Sequence, residues 1–322
     1  MESYEVTPYV GSTAQTSKTV TGTPPQTTTT VTGLTPGTAY TFRVRGANVE
    51  GTGPQSGASA AVTPTTASVP SAPTSVTAYP DAQAGVVRWT PPSTDGGSAL
   101  TSYSVTPFIG GAAQPAVAVD APASRATVTG LDVGTSYTFR VLASNANGTG
   151  ATSGETNAIT PMRSIFGFAV PATVDGGDGN AVEVGVRFQS SAAGTIAGIR
   201  FYKAATNTGT HVGSLWTEGG VLLAQGSFSG ESASGWQTLL FSTPVSIAAA
   251  TTYVAGYHAP NGHYSLTSRT FDGTAFSNPP LTALADGSAG NGLYRYTATP
   301  ALPTNSYNAA NYFVDVLYGP GS

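Results

Sequence analysis

The chain has 322 residues and no cysteine, which excludes disulfide staples, Cys-ligated zinc and thiol catalysis. Charge is also scarce. Asp, Glu, Lys and Arg make up 9% of the residues, against about a quarter in ordinary globular proteins, and lysine occurs only at positions 18 and 203. Helical surfaces are solubilised mainly by Glu, Lys and Arg, so an ordinary helical cytosolic enzyme is not expected. No run of about 18 apolar residues exists, and Met1 leads directly into polar, alternating sequence, so no membrane insertion is expected. The net charge of −4 divides evenly between the halves, each with 6 basic and 8 acidic residues. Neither half is basic enough to attract nucleic acid or anionic lipid.

What the chain does contain is glycine (40), proline (23) and a 39% hydrophobic fraction that includes 15 Tyr, 12 Phe and 3 Trp. Gly and Pro alone would fit an unfolded linker, but the aromatic anchors argue for packed cores. Thr, Ser, Gly and Asn must meet the solvent, as in a β protein.

Aligning the chain with itself pairs Glu2-Ser-Tyr-Glu-Val-Thr-Pro-Tyr-Val-Gly with Thr101-Ser-Tyr-Ser-Val-Thr-Pro-Phe-Ile-Gly, 99 residues on. Val31-Thr-Gly-Leu-Thr-Pro-Gly-Thr-Ala-Tyr-Thr-Phe-Arg-Val likewise pairs with Val128-Thr-Gly-Leu-Asp-Val-Gly-Thr-Ser-Tyr-Thr-Phe-Arg-Val, 97 residues on. A period of this size is a domain repeat and not a solenoid. Tyr40, Phe42 and Val44, like Tyr137, Phe139 and Val141, alternate with polar residues as half-buried strands do. Turn clusters punctuate such strands at the spacing of a sandwich.

Residues 70 to 161 resemble the fibronectin type III family through Pro70-Ser-Ala-Pro-Thr-Ser-Val, Val86-Val-Arg-Trp-Thr-Pro-Pro, Tyr103-Ser-Val, and Leu131 followed by Tyr137-Thr-Phe-Arg-Val. The resemblance implies a buried Trp89 and a tyrosine corner at Tyr137, its hydroxyl bonded to nearby backbone. Residues 1 to 65 match only the later two-thirds of the pattern and lack a counterpart of Trp89. Either the chain begins inside a domain, or a neighbouring chain donates the missing strands. Residues 66 to 75 read as a short Pro-containing spacer. The expected domains are thus a partial repeat (1–65), a complete one (66–161) and a third unit (162–322).

The third unit departs from the repeat and holds all three histidines, at 211, 258 and 263. Alternation in Val182-Glu-Val-Gly-Val-Arg-Phe, Ile196-Ala-Gly-Ile-Arg-Phe-Tyr, Thr252-Tyr-Val-Ala-Gly-Tyr and Tyr312-Phe-Val-Asp-Val-Leu-Tyr predicts a second sandwich resembling a jelly roll. The fold class is therefore all-β. Residues 164 to 318 resemble a bacterial extracellular family, domain of unknown function 4082. The matching runs are Gly198-Ile-Arg-Phe-Tyr-Lys, Asn207-Thr-Gly-Thr-His-Val-Gly-Ser-Leu-Trp, Gly235-Trp-Gln, Tyr257-His-Ala-Pro-Asn-Gly-His-Tyr and Gly292-Leu-Tyr-Arg-Tyr. That resemblance implies a secreted or cell-surface location.

No pair of carboxylates stands out for glycoside hydrolysis, and no Gly-x-Ser-x-Gly elbow appears, so no catalytic activity is expected. His258 and His263, five apart across Pro260 and Gly262, lack the helical pairing of a zinc protease. Glu183 and Asp315 lie inside strands among apolar neighbours, where a carboxylate needs a partner. Shared Ca²⁺, with Asp178 as a third ligand, is the expected structural cofactor. An outward carboxylate or an ion pair with Arg187 or Arg200 is the alternative. For ligand binding, Tyr257, His258, Asn261, His263, Tyr264, Tyr294 and Arg295 combine rings that stack on sugar faces with groups that bond hydroxyls. The expected function is adhesion or carbohydrate binding at a glycan or polysaccharide surface, with the repeats as spacers. The alternatives are a structural stalk or filament segment, and an accessory region of a secreted polysaccharide hydrolase.

Overall fold

The computed structural model describes residues 1–320; residues 321 and 322, the last two assigned above to the third unit, lie outside the described residues. Every regular element among the described residues is a β-strand, and none of them forms a helix long and apolar enough to cross a membrane.

The first unit is a single antiparallel sheet in which β1 (Ser3–Val10) pairs with both β2 (Lys18–Thr21) and β3 (Thr41–Asn48). The register sets Tyr4 opposite Val20 and Val6 opposite Val44, so these side chains share one face. Among the described residues no second sheet covers that face, and Val44 is 38% exposed.

The second unit repeats this sheet and adds the missing one. Its strands longer than two residues are β4 (Thr74–Asp81), β5 (Ala84–Thr90), β6 (Leu100–Ile109), β7 (Val117–Asp120), β8 (Arg125–Thr129) and β9 (Thr138–Asn145). One sheet runs β7-β6-β9 and the other β8-β5-β4. Tyr103, Val105 and Val141, the counterparts of Tyr4, Val6 and Val44, are here fully buried. The difference is Trp89 on β5, whose ring lies 5.1 Å from that of Tyr103. Tyr137 forms the expected corner, its hydroxyl accepting the Asp132 amide, and Tyr40 does the same with Thr35. The seventh strand of the sandwich is irregular. Ser153 and Thr156 replace part of its ladder by accepting the Val141 and Phe139 amides through their hydroxyls, as Ser56 and Ser59 do for Val44 and Phe42. Much of the abundant Ser and Thr thus satisfies backbone groups that an alternating pattern alone leaves open. The spacer is not free either: the Ser68 amide bonds Gly96, and the Ser68 carbonyl accepts the Asn145 side chain.

The third unit has ten strands longer than two residues: β10 (Val182–Ser190), β11 (Gly194–Lys203), β12 (Val212–Thr217), β13 (Leu222–Ser227), β14 (Gly235–Ile247), β15 (Tyr253–Ala259), β16 (Phe276–Asn278), β17 (Leu281–Ala283), β18 (Leu293–Tyr296) and β19 (Val314–Pro320). A large sheet is ordered β13-β12-β15-β10-β17-β16, with β18 also on β10, and faces a sheet ordered β14-β11-β19. Between them lies an aliphatic and aromatic core that includes Val184, Phe188, Phe201, Tyr257 and Val316.

Met162 and Arg163 join the second and third units without slack. The Gln83 amide bonds the Met162 carbonyl and the Met162 amide bonds Asp81, while Arg163 and Tyr318 exchange both backbone bonds. Beside this join lies Arg200, fully buried on the outer face of β11 with Thr238 and Asp315 as its cross-strand neighbours. Its Nε is 2.9 Å from Asp81 of the second unit, Nη1 is 3.7 Å from Asp315, and the guanidinium lies 4.5 Å from the Trp236 ring centre. Asp81 also accepts the Thr238 hydroxyl. Removing one partner of a buried ion pair leaves the other charge uncompensated, at a cost of about 3–5 kcal/mol. Asp81→Ala is therefore expected to lower stability by about that amount and to split one calorimetric unfolding transition of the second and third units into two. A single unshifted transition would contradict the linkage.

Candidate functional site: a tyrosine face at the rim of the third unit

β18 pairs with β10 so that Tyr294 lies opposite Val184 and Tyr296 opposite Val182. Period-two alternation sends both rings to the core side of the large sheet, at its rim. The turn after β15 brings up a third ring. Gly262 and His263 both have positive φ, +66° and +56°, and the His263 amide bonds the Asp178 carbonyl at 2.6 Å. Glycine is needed here, because a Cβ at 262 would sit 2.1 Å from that carbonyl oxygen. The turn thus places Tyr264 edge-on to Tyr312, with ring centres 5.3 Å apart, while Tyr294 and Tyr296 are 5.8 Å apart. Tyr296 is 55% exposed and Tyr264 and Tyr294 are half-buried, so the group presents rings to solvent over a packed base.

Polar groups frame the rings. Asp178 accepts the Tyr296 hydroxyl and both the backbone and side-chain nitrogens of Asn180. His263 Nδ1 donates to Asp175, which also accepts the Thr206 hydroxyl at 2.6 Å. Partial burial works against the charge on Asp178, but the bonds from Tyr296 and Asn180 hold its carboxyl below the usual range; those from Thr206 and Gly177 do the same for Asp175. The bond to Asp178 pushes the Tyr296 phenol up, and burial does so for Tyr264 and Tyr312. At neutral pH Tyr264, Tyr296 and Tyr312 are therefore neutral, and Asp175 and Asp178 are ionised. The arrangement suits stacking and hydrogen bonding.

Of the seven residues expected to bind ligand, the structure brings Tyr264, Tyr294 and His263 to this face. Tyr257 is fully buried, stacked on Phe201 at 4.0 Å with its hydroxyl accepting Asn207. His258 points to the opposite side of the sheet and bonds the Thr297 carbonyl at 3.0 Å. Arg295 also lies on that opposite side, exposed, as alternation requires beside Tyr294. Asn261 sits at the turn and bonds Thr208. Tyr296, Tyr312, Asp175 and Asn180 belong to the face without having been singled out. The Tyr294-Arg-Tyr run carried a signal for Tyr296.

The expected calcium ligands are not brought together. Asp315 lies on the smaller sheet, its oxygens taken by the Ile165, Phe166 and Val316 amides and by Arg200. Asp178 lies at the tyrosine face, and Glu183 is on the outer side of the large sheet. Among the described residues no three His, Asp or Glu side chains gather as a metal site. The ion pair with Arg200, the alternative for Asp315, is the one the structure contains.

A single-sheet unit, a sandwich that repeats that sheet and completes it, and a different two-sheet unit define a multidomain β protein. The family model "Fibronectin type III domain" matches residues 1–62 and 71–159, and "Domain of unknown function (DUF4082)" matches residues 168–314. The chain carries fibronectin type III repeats followed by a DUF4082 domain. Among solved structures it is similar to the FN1-FN3 domains of chicken CNTN1, at 22% identity over 49% of this chain and 55% of that one, with a TM-score of 0.30. It is also similar to titin kinase and its flanking domains, at 33% identity over 30% of this chain and 18% of that one (TM-score 0.27). The twitchin kinase region from C. elegans matches at 27% identity over 29% and 17% (TM-score 0.27). The chain thus spans 55% or less of the length of these solved chains. No curated protein matched.

Glu183 is a separate feature. The register places it between His258 on β15 and Arg295 on β18, and it is fully buried with neither carboxylate oxygen in a hydrogen bond of good geometry. Burial raises its carboxyl well above 4.5, although the Ala301 backbone works in the other direction. Below about pH 4 folded and unfolded chains both hold the proton. As pH rises through the unfolded value, only the folded chain retains it, so stability falls until the folded group also ionises. Glu183→Gln is therefore expected to stabilise the chain more at pH 8 than at pH 4, reaching about 1–3 kcal/mol. Denaturant titration of both proteins across this range checks it. A gain independent of pH would contradict the raised carboxyl, and a loss that grows with pH would show that Glu183 is ionised and paired.

Proposed function

We propose that the third unit is a non-catalytic carbohydrate-binding module of a secreted or cell-surface protein, with the tyrosine face as its platform and the repeats as spacers. The observation that carries this reading is the gathering of Tyr264, Tyr294, Tyr296 and Tyr312 beside Asp178, Asn180, Asp175 and His263. Sugar rings have apolar C–H faces that stack on phenols and hydroxyl edges that bond carboxylates, amides and imidazole. The rigid two-sheet base holds the rings before a ligand arrives, which lowers the ordering cost. The buried join at Arg200 favours, as a second reading, a stalk that spaces some other domain.

Titration of the whole chain with a panel of soluble neutral polysaccharides tests the proposal. Wild type is expected to bind at least one of them with an affinity that changes little with salt, because the ligand is uncharged. Tyr264→Ala with Tyr296→Ala should weaken it at least tenfold, or about 1.4 kcal/mol. Equal affinity in the variant would move the site elsewhere, and no binding to any polysaccharide would leave the stalk.

A further inference from the structure

A cavity of about 350 Å³ lies between the second unit and the third, lined among others by Arg88, Arg125, Ser229, Glu231, Gln237 and Thr238. Arg88 on β5 and Arg125 on β8 are direct cross-strand partners. Like charges in that position repel unless something lies between them. Neither arginine has an ion-pair partner among the described residues. Both donate to a single acceptor, the Gly230 carbonyl across the cavity, at 3.3 Å each, and the buried Nε of Arg88 has no partner at all.

The nearby acids are already engaged. Glu231 accepts Lys203 at 2.7 Å and His211 at 2.9 Å, and Asp81 is held by Arg200 and Thr238. Two guanidiniums therefore remain without an ion-pair partner, at a wall that also offers the Ser229 hydroxyl, while Gln237 and Thr238 are bonded within the protein. Gly230, at φ +61°, adopts a conformation that favours glycine where the loop meets the Arg88 guanidinium. Partial burial and the neighbouring Arg88 charge push the Arg125 guanidinium down, against the smaller opposite effect of Asp81.

We infer that this cavity binds the carboxylate or sulfate group of an acidic sugar, gripped by Arg88 and Arg125 from the second unit and by Ser229 from the third. Paired guanidinium forks match the oxygens of such groups, and the volume accommodates a single sugar ring. This site is separate from the tyrosine face and does not depend on it. Its occupant bridges two units, so binding draws on both.

Calorimetric titration of the whole chain with glucuronate, a sulfated monosaccharide, inorganic sulfate and glucose tests the inference. At low salt, glucuronate or the sulfated sugar is expected to bind and glucose not, with affinity falling as chloride is added. Arg88→Gln with Arg125→Gln should reduce that affinity at least tenfold, and in anion-free buffer this variant should melt no lower than wild type, because a repulsion has been removed. If the variant does not fold, Arg125→Lys, which keeps the charge but not the fork, is expected to lose most of the affinity. Binding of inorganic sulfate alone would overturn the sugar assignment. Absence of anion binding, or equal binding by the variants, would overturn the site.

Discussion

Burial of the Arg200 guanidinium is the constraint on which the arrangement of the second and third units depends. A charge out of water must be met by opposite charge and hydrogen bonds; the third unit supplies Asp315, the Ser164 hydroxyl and the Gly167 carbonyl, and the second unit supplies Asp81. Asp315 reaches it from the adjacent strand at 3.7 Å, while the closer carboxylate, Asp81, belongs to the other domain. Trp236 and Phe168 close over the guanidinium with their rings. Asp315 in turn holds the Ile165 and Phe166 amides, so the segment entering the third unit is fixed by the acid that helps neutralise the arginine.

From this join follow two surfaces with different chemistry. The cleft beside it is lined by arginines with no acid to spare, whereas the rim of the third unit carries neutral phenols among ionised carboxylates. A rigid join keeps the two at a set distance along one body, the condition under which weak sites on linked modules reinforce one another.

Local features were legible in the sequence. Trp89, the tyrosine corners and the alternating strands follow from short patterns whose physical causes lie within a few residues. Grouping the candidate ligand residues by adjacency failed because neighbours in a strand face opposite ways. Tyr257 and His258 part company across the sheet, as do Tyr294 and Arg295, whereas Tyr294 and Tyr296 stay together. Glu183 and Asp315 both needed explanation as buried acids, yet nothing local distinguishes an acid that meets an arginine from one that meets none. The Asp81 to Arg200 contact joins residues of different domains, and the turn that seats Tyr264 depends on Asp178, 86 positions earlier. Such pairings are set by how sheets stack and by which loops touch.

Held through Arg200, the second repeat and the third unit form one rigid body. Backbone ¹⁵N relaxation measured on the whole chain tests it most directly, because it reports how each unit tumbles. A single rotational diffusion tensor fitting residues 76–159 and 182–318 together is the result predicted. Two tensors with independent correlation times would contradict it.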